Sequence, residues 1–309
     1  MVQMVEAGGL FSALVTGIGI GALYALVAIG FSLIYKITGV LNFAQGQFAL
    51  LGAFLVVVLS TSLPFWFVEV QIPVYAAVVV TILIGALLGV LLERLVFRHF
   101  IGEPVLSVII VTLAFVGIIE GGSRFFISAQ YRAYPQELQP GWSLSLPLDT
   151  ELQAPFVLGV ALALLTVAAL MAFFRYTVLG SILRASASDQ QAAMVLGVSI
   201  ERTIVIAWAL SIAITSIGGI LLAMSSGGVG YTIADVTILV FAAVVFGGLD
   251  SIPGAFIGGI VVGVLRQFGV YMGEFLMPGL DSVFPMVFLL VVIMLMPYGL
   301  FGTERIERL

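Results

Sequence analysis

The sequence lacks most of the side chains from which catalytic and metal sites are built. Its 309 residues include no cysteine and a single histidine, His99. Without cysteine, disulfides and thiolate metal sites are excluded. One histidine is too few for a His-rich metal site and does not support a Ser/His/acid triad. We therefore predict no catalytic residues, no metal site and no cofactor in this chain.

Lysine is equally scarce, and this bears on the use of ATP. A phosphate-binding loop of the form GxxxxGK[ST] needs a lysine after spaced glycines and before Ser or Thr. The only lysine, Lys36, is followed by Ile37 and lacks that glycine spacing. The chain is therefore not expected to be an ATPase of this type. No run of arginines marks a voltage sensor either.

Charged side chains make up only 9% of the residues, whereas 62% are hydrophobic and the mean hydropathy is +1.26. Such a chain has more apolar surface than a water-soluble domain buries, so it needs lipid as its solvent. Apolar runs of about 18 to 23 residues without strict alternation favour helices over a barrel. The predicted fold is all-α, with one polytopic membrane domain over residues 1–309. The first apolar run is expected to be retained as a span, because no basic signal-peptide region precedes it.

Nine apolar segments are bounded by charge, proline or glycine and predict about nine transmembrane helices, within a range of eight to ten. They are 12–35, 43–61, 74–92, 104–120, 154–174, 203–225, 234–249, 254–273 and 282–296. The segment 234–249 is the weakest, since Gly247 and Gly248 interrupt it. A re-entrant or broken helix there would be typical of a transport site.

Basic residues in the loops predict the orientation of the chain. With the N-terminus outside, only Arg124 and Arg132 lie in outer loops. The inner side then receives Lys36, Arg94, Arg98, Arg175, Arg184, Arg202, Arg305 and Arg308. This excess obeys the positive-inside rule and predicts N-out and C-in.

Two loops are long enough to carry a function of their own. The predicted external loop, 121–153, contains Tyr131, Tyr134 and Trp142. It is either a lid or docking surface for an external partner, or an aromatic belt at the headgroup level. The predicted cytoplasmic loop, 175–202, is polar, rich in small residues and compatible with a helix.

The 35 glycines are not scattered at random. Several recur four residues apart, a spacing that lets helix backbones approach closely in lipid. These predicted packing faces are Gly85-x3-Gly89, Gly254-x3-Gly258 and Gly259-x3-Gly263, together with Gly17-x-Gly19-x-Gly21.

Polar side chains concentrate where the first predicted helix ends and the second begins. Asn42, Gln45 and Gln47 can share a helix face there, and with Tyr24 and Thr38 they form the predicted substrate pathway. A neutral, hydrogen-bonding patch of this kind suits a zwitterionic or amide-like solute. The alternative is a capped inter-helix turn whose amides satisfy one another.

Two charged residues within the predicted spans leave their roles open. Glu120 either caps the outer end of its span or has a functional role. Arg266 needs a carboxylate partner, an aqueous cavity or a route to the interface, and we favour a structural ion pair over a substrate ligand.

Five separate stretches, in order along the chain, carry a resemblance to a known family. They are 21–35 (GALYALVAIGFSLIY), 39–46 (GVLNFAQG), 184–198, 245–255 (VFGGLDSIPGA) and 297–302 (PYGLFG). With these stretches the chain resembles the permease subunits of branched-chain amino acid ABC importers, of the high-affinity leucine/isoleucine/valine type.

The resemblance implies a multi-pass subunit in the prokaryotic cytoplasmic (inner) membrane. Its implied partners are a second permease subunit, two cytoplasmic ATP-binding subunits that use ATP, and an external solute-binding protein, with no nucleic acid. In such importers a short cytoplasmic helix with an EAA-x3-G pattern docks on the ATPase. Here the matching residues, the implied ATPase-coupling site, are Asp189, Gln191, Ala192, Ala193 and Gly197.

The chain departs from the family pattern in two places. Gln191 stands where the family has glutamate, and Gln45-Gly46-Gln47 stands where relatives commonly have His, Gly and an acid.

The wider family also handles urea, short amides and other small acids, so these remain alternative solutes. A stand-alone secondary transporter or channel would need ion-coupling carboxylates, for which only Glu120 and Asp235 lie near enough. A scaffold without a transport role is the third alternative.

Overall fold

The computed structural model describes residues 7–61, 71–127, 130–296 and 298–302, and it is mainly helical. The α-helices are α1 (Ala7–Thr38), α2 (Gln45–Ser60), α3 (Val74–Leu95), α4 (Val105–Phe126), α5 (Ala154–Tyr176), α6 (Val178–Ser188), α7 (Gln190–Val195), α8 (Ile200–Ser225), α9 (Val236–Gly247), α10 (Ile252–Gly273) and α11 (Leu280–Leu295). Single turns of 3-10 helix cover Phe97–Phe100, Gln136–Leu138 and Tyr231–Ile233. The strands are β1 (Arg132–Ala133), β2 (Ser143–Leu146), β3 (Thr150–Gln153) and β4 (Gly228–Val229).

Each of the nine predicted apolar segments corresponds to a helix, namely α1 to α5 and α8 to α11. Within the described residues, six of these are long and apolar enough to cross a membrane: α1, α3, α4, α5, α8 and α10. The helix α2, the stretch Tyr231–Gly247 and α11 are apolar but shorter. The chain is thus a helical, multi-pass membrane protein.

The weakest predicted segment is a short helix with an abrupt end. A 3-10 turn precedes α9, which runs for 12 residues and ends at Gly247. Gly248 follows with φ +100°, a conformation that glycine adopts without strain. Residues from the distant 298–302 segment then satisfy the free helix carbonyls: Leu300 N donates to Phe246 O and Phe301 N to Gly247 O, at 2.8 and 3.1 Å.

Helix α1 is the centre of the fold. Of its most apolar 18-residue stretch 89% is buried inside the chain, against 22% for α3 and 11% for α4. Its most extensive contacts are with α10 and α8. Side chains on α3 and α4 instead leave much apolar surface exposed, as lipid-facing helices do.

The glycine pattern explains how α1 and α10 approach each other. A Cβ added at Gly21 would lie 2.7 Å from the Ile260 Cα, and one added at Gly259 would lie 2.6 Å from the Ala25 Cα. Both distances are too short for carbon atoms, so only glycine allows this crossing. Gly85 on α3 faces α8 in the same way. The prediction that these glycines form packing faces is confirmed.

The loop 121–153 departs from the all-α prediction, because it contains strands. Ser143 pairs with Gln153 and Leu146 with Thr150 in the β2–β3 hairpin. Its turn holds Asp149 at φ 54°, in the left-handed region that hairpin turns require. The hydropathy pattern identifies apolar helices and carries no signal for strands this short.

A second strand pair ties the same loop to the segment after α8. Strand β1 pairs antiparallel with β4, and Tyr134 N donates to Gly227 O at 3.1 Å. The Tyr134 side chain is buried, and burial raises the pKa of its phenol. The Tyr131 hydroxyl donates to Ser226 O at 2.9 Å, whereas Trp142 is half exposed. Tyr131 and Tyr134 therefore anchor the loop.

We predict that Gly263→Val separates α1 from α10, because the added carbons would overlap the backbone of Gly21. The free energy of unfolding should fall by about 1–3 kcal/mol or more, as in other overpacked cores. The midpoint of SDS-induced unfolding in detergent micelles measures this. The matched control is Gly117→Val on α4, where no atom lies within 4 Å of the new Cβ. Equal midpoints for the two variants would contradict the prediction.

Candidate functional site

A cavity of about 530 Å³ opens among α1, α8, α9, α10 and α11. Each wall contributes a distinct polar group: Tyr24 from α1, Arg266 from α10, Asp281 from α11 and Asp235 from the residue preceding α9. Ser225 and other hydroxyl groups lie beside them, and the remaining lining is largely aliphatic. We call this space the outer cavity, because it lies at the end of α8 and α10 that the orientation rule places outside.

Arg266 is the only basic residue of the outer cavity lining among the described residues. Its Nη1 donates a hydrogen bond to the Tyr24 hydroxyl, and its Nε lies 4.0 Å from a carboxylate oxygen of Asp281. The guanidinium carbon stands 5.8 Å from the centre of the Tyr24 ring. The carboxylate partner expected for this arginine is thus Asp281, and the pair lines an open cavity instead of a closed core.

Glu120 has a local partner. It lies within α4, six residues before the helix ends at Phe126, so it does not cap the helix. Its carboxylate accepts a hydrogen bond from Arg124 at 2.7 Å, one helical turn away. The Arg124 guanidinium also stacks on the Tyr231 ring, 3.9 Å from its centre. The capping interpretation of Glu120 is therefore wrong.

The predicted polar patch at the α1–α2 connection is a closed hydrogen-bond network. Asn42 Oδ1 accepts from Ala44 N at 3.1 Å, and Asn42 Nδ2 donates to Gln45 Oε1 at 2.8 Å. Gln45 Nε2 in turn donates to the hydroxyls of Ser211 and Thr215 on α8. Asn42 and Gln45 are fully buried. The amides satisfy one another and α8, which matches the capped-turn alternative.

The other predicted pathway residues, Thr38, Gln47 and Tyr24, take no part in the hydrogen bonds of this network. Thr38 joins Asn42 on the wall of a second cavity, of about 120 Å³, which also contains Gln190 and Trp208. Gln47 is buried, and its Oε1 has no hydrogen-bond partner among the described residues. With Tyr24 in the outer cavity, the predicted pathway residues are divided between two cavities and a buried network.

Sequence reasoning missed several polar partners. Ser211 and Thr215 are four residues apart on α8, and that spacing alone places two hydroxyls on one helix face. Asp281 is one residue into α11, which gives no sign of its distant partner. Only the folded chain reveals these contacts.

The cytoplasmic loop 175–202 forms two helices, α6 and α7. Asp189 caps α7 at its N-terminus, since its Oδ1 accepts from Ala192 N at 2.9 Å. Gly197 ends it with φ +85°. Val198 N then donates to Ala193 O at 3.0 Å and Gly197 N to Met194 O at 2.9 Å, the bond pair of a Schellman cap. The sequence therefore specifies both ends of this short helix.

The side chains of α7 divide into a buried and an exposed set. Ala193 is 2% exposed and faces its own chain. Gln191 and Ala192 are exposed, and Val195 and Leu196 are 88% and 82% exposed. Among the five residues of the implied coupling site, Ala193 alone is buried. Val195 and its neighbour Leu196, the C-cap residue, form an exposed apolar tip at the end of α7.

A multi-pass membrane chain with no phosphate-binding loop and with an exposed, capped α7 has the features of a transport subunit. The family described as "Branched-chain amino acid transport system / permease component" matches residues 13–296. The chain therefore belongs to this family of transport permeases.

Individual relatives match over almost their whole length. The high-affinity branched-chain amino acid transport system permease protein BraD of Pseudomonas aeruginosa is 27% identical, over 96% of each chain. LivH of Escherichia coli K12, a permease protein of the same description, is 27% identical over 94% of this chain and 95% of its own. A probable branched-chain amino acid transport permease protein LivH of Methanocaldococcus jannaschii is 28% identical over 93% and 91%.

We predict that Gln45→Leu destabilises the fold, because it removes the amide that joins Asn42 to the α8 hydroxyls. Buried groups left without partners cost about 1–3 kcal/mol. Gln47→Leu is the matched control, since its carbonyl oxygen has no partner among the described residues. SDS-unfolding midpoints should drop for Gln45→Leu and change little for Gln47→Leu; the reverse order would contradict the network.

Proposed function

We propose that this chain is the permease subunit of an ATP-driven importer for branched-chain amino acids. The observation that carries the proposal is the match of family and relatives across nearly the whole chain. The missing phosphate-binding loop agrees with it, because in an ATP-driven importer of this kind the ATP would be used by other subunits.

The proposed complex contains a second permease subunit, two cytoplasmic ATP-binding subunits that use ATP, and an external solute-binding protein. The chain itself needs no cofactor. The helix α7 is the proposed contact with an ATP-binding subunit, since Asp189 and Gly197 fix its ends and its apolar tip is exposed. Ala193 supports α7 from within this chain, whereas Gln191 and Ala192 are accessible to a partner.

We propose nine membrane crossings with the N-terminus outside and the C-terminus inside the prokaryotic cytoplasmic membrane. Contacts between loops of the same predicted side support this arrangement: Gln190 Nε2 donates to Ile37 O at 3.0 Å, and Lys36 Nζ to Asp250 O at 2.9 Å. Arg305 and Arg308, which contribute to the orientation rule, lie outside the described residues. The proposal places loop 121–153 outside and loop 175–202 in the cytoplasm.

We predict that Val195→Asp and Leu196→Asp abolish transport by preventing ATPase docking. In cells lacking the chromosomal gene, the unaltered chain should restore uptake of radiolabelled leucine, and either variant should fail although it reaches the membrane. The ATP-binding subunits should no longer co-purify with either variant. The matched control is Leu144→Asp, an exposed apolar residue of the outer hairpin. Normal co-purification with both α7 variants would contradict the docking role.

The absence of cysteine makes the orientation directly testable. Ser145→Cys in β2 and Ser188→Cys at the end of α6 are both exposed positions. A membrane-impermeant maleimide added to intact spheroplasts should label Ser145→Cys alone. Inside-out vesicles should reverse the pattern. Labelling of Ser188→Cys from the outside would contradict the N-out topology.

A further inference from the structure

The outer cavity combines charges of both signs with an apolar wall. Arg266 supplies a positive charge, while Asp235 and Asp281 supply negative ones. Aliphatic side chains such as Ile20 and Leu239 form much of the remaining lining. The volume, about 530 Å³, lies within the range of about 300–1,000 Å³ typical of small-molecule sites. Space, charge and apolar surface therefore occur together at one place.

The Arg266 guanidinium retains hydrogen-bonding capacity toward this cavity. Nη1 donates to Tyr24 and Nε faces Asp281, which leaves Nη2 without a hydrogen-bond partner among the described residues. The 4.0 Å separation between Nε and the Asp281 carboxylate is too long for a hydrogen bond, so this pair is held by charge alone. The side chain is 36% exposed. The available Nη2 is suited to donating a charge-assisted hydrogen bond to a carboxylate in the cavity.

Asp235, from another wall of the outer cavity, is an acid without an ion-pair partner among the described residues. It is an exposed residue at the break between the 3-10 turn Tyr231–Ile233 and α9. Carboxylates inside membrane segments are unfavourable unless paired or hydrated, and broken helices are where transporters often place such groups.

From this arrangement we propose that the outer cavity binds its solute as a zwitterion, with Arg266 and Tyr24 contacting the carboxylate and Asp235 the ammonium group. The aliphatic wall then receives an apolar side chain. A solute with only one charge would leave either Arg266 or Asp235 without a counter-charge. Its binding would be weaker, because the unpaired charged side chain would lose water without gaining a partner. The inference rests on the proposed function and deepens it by assigning the residues that contact the amino acid.

The test uses the whole importer in cells whose own gene copy is replaced by a variant. The measurements are the uptake of radiolabelled leucine and the amount of complex recovered with its ATP-binding subunits. Arg266→Met and Asp235→Asn should each lower uptake by at least about tenfold, the loss expected when a charged hydrogen-bond partner is removed. Arg266→Lys should retain part of the uptake. Glu274→Gln, an exposed acid after α10 that does not line the cavity, should leave uptake unchanged.

Several results would overturn the assignment. The first is uptake by Asp235→Asn that stays within about twofold of the uptake by the unaltered chain. This result would overturn the assignment even if Arg266→Met lowered the yield of complex. The second is a loss of uptake that equals the loss of complex in both Arg266→Met and Asp281→Asn. That result is expected if Arg266 and Asp281 form a purely structural ion pair. If the unaltered chain itself does not restore uptake of leucine, the proposed function fails and not the site assignment.

Discussion

The close approach of α1 and α10 is the contact on which the rest of the structure depends. In lipid, helices gain little from apolar side chains alone, so they associate where small residues let backbones meet. Gly21 and Gly259 provide that contact. Because α1 is buried along most of its length, it holds both polar regions in place: Tyr24 belongs to the outer cavity, and Gly30 accepts a hydrogen bond from Ser211 in the buried network.

The two regions differ in chemistry. The network around Gln45 is neutral, buried and satisfied by protein groups, as rigid helix junctions in a bilayer require. The outer cavity is open and charged, and its arginine and acids are not fully paired with one another. This contrast assigns a positioning role to the neutral region and reserves the solute contacts for the charged one, although sequence reasoning ranked the two in the opposite order.

What the sequence predicted follows from local and periodic signals. Long apolar runs locate the nine helices, and the Gly247–Gly248 pair locates the end of α9. These features depend on residues a few positions apart. The partnership of Arg266 with Asp281 and that of Gln45 with Ser211 depend on which helices become neighbours, and the short strands depend on a turn. Hydropathy contains no information on such pairings.

The contact between α1 and α10 joins parts of the chain that are synthesised at different times. Tyr24 contacts Arg266, 242 positions later in the sequence, and the last carbonyls of α9 accept hydrogen bonds from Leu300 and Phe301. During biosynthesis α1 therefore enters the bilayer long before its partner exists, with its glycine face exposed to lipid or to the insertion machinery. Contacts of such long sequence separation form late and slowly. The pairing of α1 with α10 can therefore be completed only after the last third of the chain has been synthesised.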